Sequence, residues 1–485
     1  MDRRSEQLVS WKAPTLALDR AGATTLADQI ARHIETAIAE GALPPGGRLP
    51  SWRDLAAQLG VARGTVKAAY ERLTDRGLLV TAGSAGTRVA DVLPLAVGPV
   101  GAEGESLLPP DFRHRSNRAL LFQMGIPAHD AFPATLWARL HRQAVQSVSM
   151  RTGHPDPRGL PELRAALATH VAIARGIECL PDQVIVTAGF RGGLSVALSA
   201  IGAAGRQAWV EDPGYPVTRR ALDVSSVHSV AVPVDKDGLI VEKGQDIAPR
   251  AALAIVTPGQ QAPSGVTLAA HRRLELLHWA KRSGSWIIED DYLAELHLSG
   301  RSAPALASGP GADHVIHVGS FSKTISPMTG IGFLVAPLPL ARRLVEAATW
   351  LGASPNAAAQ LAVATFLQEG HYLRHLRRMR RLYADRRRCL LDTLAAQGIC
   401  AAVPAGLSVL LPLPNGFDDQ ALALDAAATG LGPAPLSPWF SLSSRPRSGL
   451  LLGVANVLER TIEDDCRKLL AMIGKGVRQA PCERR

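Results

Sequence analysis

Trp286-Ile287-Ile288-Glu289-Asp290-Asp291-Tyr292 is an apolar run that breaks off into three acids and a tyrosine. Further on, Val315-Ile316-His317-Val318 passes through Gly319 into Ser320-Phe321-Ser322-Lys323-Thr324. Similar short runs stand on either side: Val184-Ile185-Val186-Thr187, Ala208-Trp209-Val210, Ala252-Leu253-Ala254-Ile255-Val256 and Phe333-Leu334-Val335. They are continuously apolar rather than alternating, and helical patterns separate them. Strands of that kind are covered on both faces, so the region from 112 onward is predicted to be an α/β fold with a mostly parallel sheet. Ligands of such sheets sit beyond the carboxyl ends of the strands. Those ends are where this chain places its polar residues.

Three strand ends carry the chemistry. One is Glu289 to Tyr292, one is Ser320 to Thr324, and the third is Glu211-Asp212-Pro213-Gly214-Tyr215-Pro216. A lysine after a strand offers an amine that can form a Schiff base. A carboxylate paired with a pyridinium nitrogen keeps that nitrogen protonated and the ring electron-poor. A tyrosine hydroxyl can bond the ring O3′, and an aromatic side chain can stack on the ring face. A lone Ser-x-Lys is most often a surface lysine. The ordered combination points to a pyridoxal 5′-phosphate site with its Schiff base at Lys323.

The whole chain has 485 residues, 47% hydrophobic and 20% charged, with 34 Pro and 44 Gly. That balance excludes a mainly disordered chain, and the length suggests about three compact units. No apolar run approaches the ~18 residues of a membrane span. Met1-Asp2-Arg3-Arg4-Ser5-Glu6 contains no apolar signal region, so a cytoplasmic protein is expected. The five cysteines form no Cys-x-x-Cys pair, so neither a metal site nor a disulfide framework is expected. The net charge of +10 permits an acidic partner such as DNA. Arg374 to Arg388 holds eight arginines against one aspartate. The favoured reading is a solvated helix face with Leu376, Met379, Leu382 and Tyr383 turned inward; the other is a surface for DNA.

The first organised block spans 21–91. Ile30, Ile34 and Ile38 recur at helical spacing before Gly41. Ser51-Trp52-Arg53-Asp54 resembles a capping box at the start of a short helix. Gly60-Val61 makes a turn, and a second helix from near Ala62 carries Thr65, Val66, Ala69, Tyr70 and Leu73. Two short helices across a glycine turn form a helix-turn-helix pattern. Residues 77–81 and 86–90 alternate around Gly83 and Gly86 and are expected to form a two-stranded wing. Arg63, Thr65 and Lys67 fall at the start of the second helix, where a recognition helix meets base edges. Arg48, Ser51 and Arg53 flank the preceding helix start, which favours phosphate. Thr87 of the wing completes the set of candidate residues for double-stranded DNA. Residues 92–111, rich in Pro, Gly, Ala and Val, are expected to be a linker.

Arg48-Leu49-Pro50-Ser51-Trp52-Arg53-Asp54-Leu55-Ala56, with Leu59-Gly60-Val61-Ala62-Arg63-Gly64-Thr65-Val66, resembles the GntR-type winged helix-turn-helix. Ala62 stands where that family usually has Ser, which removes a capping or phosphate contact. Further along, Gly153-His154-Pro155-Asp156-Pro157-Arg158-Gly159 and the segments 211–216, 258–265, 289–292 and 319–327 resemble fold-type I aminotransferases. The combination resembles the MocR/GabR subfamily of GntR regulators. The fold implied is an α+β winged helix-turn-helix joined to an α/β aminotransferase-like domain at 112–485, with large and small subdomains.

Carried over residue by residue, the resemblance implies that Lys323 holds pyridoxal 5′-phosphate, Asp290 pairs with the ring nitrogen, Tyr292 bonds O3′ and Tyr215 stacks. Ser320, Ser322, His154 and the loop Gly189-Phe190-Arg191 would hold the phosphate. It also implies a homodimer, and an amine or amino acid as a further effector. Four positions depart from the pattern. Gly330 replaces a phosphate-binding Arg, a role that Arg191 is expected to take over. His154 replaces a Tyr, and Ala262 replaces an Asn that would contact O3′. Leu451, in Gly449-Leu450-Leu451-Leu452-Gly453, falls where enzymes keep the Arg that clamps a substrate carboxylate. Arg445 and Arg447 lie just before that run.

A DNA-binding regulator that binds the cofactor, as effector or as a handle for an amine, is therefore the first expectation. The alternatives are an aminotransferase with an appended DNA-binding domain and a regulator that has lost the cofactor. The missing clamp disfavours the former; the retained Lys323, Asp290 and Tyr292 disfavour the latter.

Overall fold

The structure is a computed structural model. It describes residues 18–20, 24–81, 86–91, 119–298, 302–352, 354–399, 406–441 and 447–474. The chain divides into two compact units, Met1–Pro109 and Pro110–Arg485, where length alone suggests about three. The linker expected at 92–111 lies outside the described residues.

The first unit is built on three helices and a hairpin. In α1 (Leu26–Ala39), Thr25 caps the start by accepting from the Asp28 amide, and Ile30, Ile34 and Ile38 face the core. In α2 (Trp52–Leu59), Ser51 is the cap, and the helix ends on Gly60 in the left-handed conformation that glycine adopts without strain. In α3 (Arg63–Asp75), Val66, Ala69, Tyr70 and Leu73 are buried. The Tyr70 hydroxyl donates to the Pro50 carbonyl at 2.9 Å, tying α3 to the entry of α2. β1 (Leu79–Thr81) and β2 (Thr87–Val89) pair antiparallel as the wing. Gly83, at its tip, lies outside the described residues.

The second unit begins with α4 (Ala134–Ser149) and α5 (Pro161–Arg175). Then follow β3 (Val184–Thr187), α6 (Gly189–Ile201), β4 (Gln207–Asp212), α7 (Pro216–Val224), β5 (His228–Asp235) and β6 (Gly238–Leu239). Next come α8 (Val241–Ile247), β7 (Leu253–Val256), α9 (Ala270–Ser283), β8 (Trp286–Asp291), β9 (Val315–Ser320) and β10 (Gly332–Val335). The chain continues with α10 (Leu338–Leu351), α11 (Ala357–Gln368) and α12 (His371–Ala396). It closes with β11 (Ser408–Pro412), α13 (Asp419–Ala428), β12 (Ala434–Pro435), β13 (Gly449–Gly453) and α14 (Ile462–Ile473).

An eight-stranded sheet has the order β3-β10-β9-β8-β7-β4-β5-β6. Strands β9, β8, β7, β4 and β5 run parallel, while β10 is antiparallel to both of its neighbours. Strands β3, β7 and β10 are buried throughout, as their unbroken apolar sequences require. β5 and β6, at one end of the sheet, escape a reading based on apolar runs. In β5 only Val232 is fully buried, so polar residues interrupt the pattern. A second sheet, β11-β13-β12, is antiparallel and buries all of β13 at its centre.

The arginine-rich segment forms the middle of α12. Leu376, Met379 and Tyr383 are buried and Leu382 is half-buried, with most of the arginines exposed. Arg386 is the exception: it is buried, donating to the Ala455 carbonyl and pairing with Asp130.

Candidate cofactor site and DNA-binding residues

The three acids of β8 fall in different surroundings because alternate residues of a strand point to opposite faces. Glu289 accepts from the Leu306 amide at 2.7 Å and lies 3.1 Å from His317 Nδ1. Asp291 accepts from Arg175 Nε at 2.5 Å. These hydrogen bonds hold Glu289 below the usual carboxylate range despite burial. Asp290, on the other face, is 8% exposed and has no hydrogen-bonded side-chain partner among the described residues. Burial and the nearby Asp291 and Glu211 carboxyls push it up to about 8, and the Lys323 ammonium offsets this only in part.

Lys323 lies just beyond the end of β9, the strand beside β8. Its Nζ donates to the Gly125 carbonyl at 3.0 Å. Gly125 has φ +77°, which favours glycine, and a Cβ there would fall 2.5 Å from Nζ and displace the lysine tip. Next to Asp290, desolvation raises the Tyr292 hydroxyl well above its usual value, and the Gln260 amide hydrogen-bonds it. Gln260 is 4% exposed, and its Oε1 has no partner among the described residues. Glu211, at the end of β4, accepts from the Thr257 hydroxyl at 2.6 Å, and burial lifts its carboxyl to about 7. Tyr215 caps α7, with its ring 5.8 Å from Trp439.

The N-terminus of α6 forms another side. Gly189, at φ +69°, opens the helix, and Phe190 and Arg191 follow in the first turn. Amides of a first helical turn have no intrahelical acceptor and favour an anion. A Cβ on Gly332 would come within 2.8 Å of the Gly189 backbone, so that glycine permits the close approach of β10. Ser320 Oγ donates to Ser322 Oγ at 3.0 Å and accepts from the Ser322 amide at 3.2 Å. His154 is exposed on the loop before α5. Gly330 is exposed at φ +61°, closing the turn Pro327–Thr329. A side chain would be strained in that conformation, so the turn geometry accounts for glycine there.

Two further departures meet in space. Leu451 is fully buried and Ala262 is 7% exposed; both belong to one apolar cluster with Leu436 and Trp439, against which Tyr215 and Tyr292 pack. Arg219, half-buried nearby, donates to the carbonyls of Gly214 at 3.1 Å and Trp439 at 3.0 Å, and to that of Pro438. Arg447 is exposed, and Arg445 lies outside the described residues. Gly125, Glu211, Gln260 and Arg219 were not singled out by sequence reasoning for these roles. Gly125-Ile126-Pro127 carries a turn signal, but nothing local ties it to a lysine 198 positions away.

In the winged unit, Arg48, Arg53, Arg63 and Lys67 are exposed and Thr65 is half-buried. Lys67 lies 3.6 Å from Glu71 in a solvent-exposed pair. The Arg53 guanidinium sits 4.8 Å from the centre of the Trp52 ring. Ser51 Oγ is engaged within its own helix start, donating to Asp54 at 2.7 Å. Thr87 is 8% exposed. The cap of α3 is Ala62, with no side-chain hydrogen bond.

The family model of aminotransferase classes I and II matches residues 119–425. That of the bacterial regulatory proteins of the gntR family matches 26–89. The probable rhizopine catabolism regulatory protein MocR of Rhizobium meliloti is 34% identical, covering 94% of this chain and 95% of its own. The pyridoxine biosynthesis transcriptional regulator PdxR of Corynebacterium glutamicum is 37% identical over 78% of this chain and 81% of its own. Among solved structures, an archaeal alanine:glyoxylate aminotransferase superposes with a TM-score of 0.66 at 22% identity, covering 74% of this chain and 91% of its own. The α-aminoadipate aminotransferase LysN of Thermus thermophilus gives 0.64 at 24%, covering 73% and 92%. No described helix is long and apolar enough to cross a membrane. A gntR-type winged helix-turn-helix followed by a fold-type I aminotransferase domain, with a regulator named MocR matching across 94% of the chain, places the chain in the MocR-type GntR regulators.

Proposed function

We propose that the protein is a DNA-binding transcriptional regulator whose aminotransferase-like unit binds pyridoxal 5′-phosphate at Lys323, as effector or as a handle for an amine. The observation that carries this reading is the buried Asp290, without a hydrogen-bonded side-chain partner among the described residues, beside the Lys323 amine and Tyr292. A buried carboxyl without a fixed cation is costly to ionise, and a protonated ring nitrogen is the partner that relieves it. Gln260 Oε1, buried and without a partner among the described residues, is a second polar group that a ligand could satisfy. The glycine-opened N-terminus of α6 supplies amides for a phosphate. The donor set therefore fits the cofactor.

When bound, pyridoxal phosphate supplies an aldehyde that captures amines and an electron-withdrawing ring. The protein's part is positioning. Lys323 supplies the amine, and the Gly125 carbonyl holds its tip by a hydrogen bond. Asp290 would keep a proton on the ring nitrogen, Tyr292 would donate to the ring oxygen and Tyr215 would cover a face. Ser320, Ser322 and the Gly189–Arg191 turn hold the phosphate, with Arg191 in place of the cation that Gly330 cannot provide. The names of the full-length relatives support regulation rather than turnover.

The test uses full-length protein and a duplex selected by that protein from a random DNA library. Added pyridoxal phosphate should change affinity about fivefold or more for the wild type. It should change nothing for Lys323→Ala. An equal response in both proteins, or none in either, contradicts the proposal.

A further inference from the structure

The polar groups beside Lys323 are acceptors and acids, and one wall of the site is apolar. Asp290 and Glu211 are buried carboxyls, and the unpartnered Oε1 of Gln260 can only accept. Leu451 pairs across the small sheet with Leu410 and with Ala434, so three adjacent aliphatic residues share one face. That face packs with Ala262 and against Tyr215 and Tyr292. Arg219 is committed to backbone carbonyls and holds the segment that carries Trp439. A ligand carboxylate placed here loses its water, gains no cation from the described residues of this wall and faces other acids. An amine captured through its nitrogen brings no anionic group into the site, and its apolar body packs against this leucine and aromatic cluster.

We infer that the site selects primary amines with an apolar, uncharged body and rejects the corresponding α-amino acids. The inference rests on the cofactor reading above and names the ligand class of the same site. The probes are 2-phenylethylamine and L-phenylalanine, which differ only by the carboxylate. Each is titrated into full-length protein loaded with pyridoxal phosphate, following the visible spectrum and the thermal midpoint. The amine should bind about tenfold more tightly or better. Leu451→Arg should narrow or reverse that preference; the wild-type comparison needs no variant and stands if this one misfolds. Phenylalanine binding as tightly as the amine, or neither probe acting on protein with verified cofactor at Lys323, overturns the inference. Failure of borohydride to fix cofactor on Lys323 before any amine is added overturns the cofactor reading instead, and the inference falls with it.

Discussion

Asp290 is the residue on which the chemistry turns. Its neighbours Glu289 and Asp291 are satisfied by His317, backbone amides and Arg175, and it alone of the three acids is left facing Lys323. In the cofactor-free protein its pKa rises from 3.8 to about 8. Between those values the folded state keeps a proton that the unfolded chain has lost, so stability falls as pH rises through the window. Asp290→Asn removes this contribution. Thermal midpoints of the cofactor-free proteins between pH 5 and 8 should therefore fall less steeply for the variant, and an unchanged slope contradicts the assignment. The strand ends stood out in the sequence because a tyrosine, an acid, a second tyrosine and a lysine follow one another there in that order. The environment of each did not. Gln260 and Glu211 acquire meaning only when β4, β7 and β8 are side by side, and Gly125 only when the segment before α4 reaches Lys323.

At the scale of elements, local signals read well wherever one face is buried. Ile30, Ile34 and Ile38 mark α1, and Ser51 and Gly60 bracket α2. Of the end-of-sheet strands, β5 was missed because partial exposure breaks up its apolar run, and β6 because two residues carry no pattern. Arg386 was hidden in a segment that reads as a solvated basic face; its burial follows from pairing with Asp130, which lies 256 positions away. The start of α3 offers a direct test. Ala62 leaves the first-turn amides without a side-chain acceptor, so Ala62→Ser should stabilise the winged unit by about 1 kcal/mol in thermal or denaturant unfolding. No gain would mean that those amides already have another acceptor. On the same helix, Arg63→Ala and Lys67→Ala should each weaken binding to the selected duplex by about 1–3 kcal/mol if they reach bases. Unchanged affinity in both variants moves recognition away from this face.

Across the whole molecule, one chain carries a DNA-reading module and a scaffold built to hold a cofactor. An N-terminal winged helix adds nothing to amino-group transfer. Leu451 lies in an apolar cluster, where the family resemblance places an enzyme's substrate clamp, while Lys323, Asp290 and Tyr292 are retained. Together these features support the proposed reading of a domain that binds the cofactor and reports it. The claim beneath the account is that Lys323 carries the cofactor. The most direct measurement is the near-ultraviolet and visible spectrum of purified full-length protein before and after added pyridoxal phosphate, followed by borohydride reduction and peptide mapping. The account predicts a new visible band, loss of that band on reduction, and a phosphopyridoxyl group on the Lys323 peptide, none of it in Lys323→Ala. No band at saturating cofactor, or a band that survives in Lys323→Ala, contradicts it.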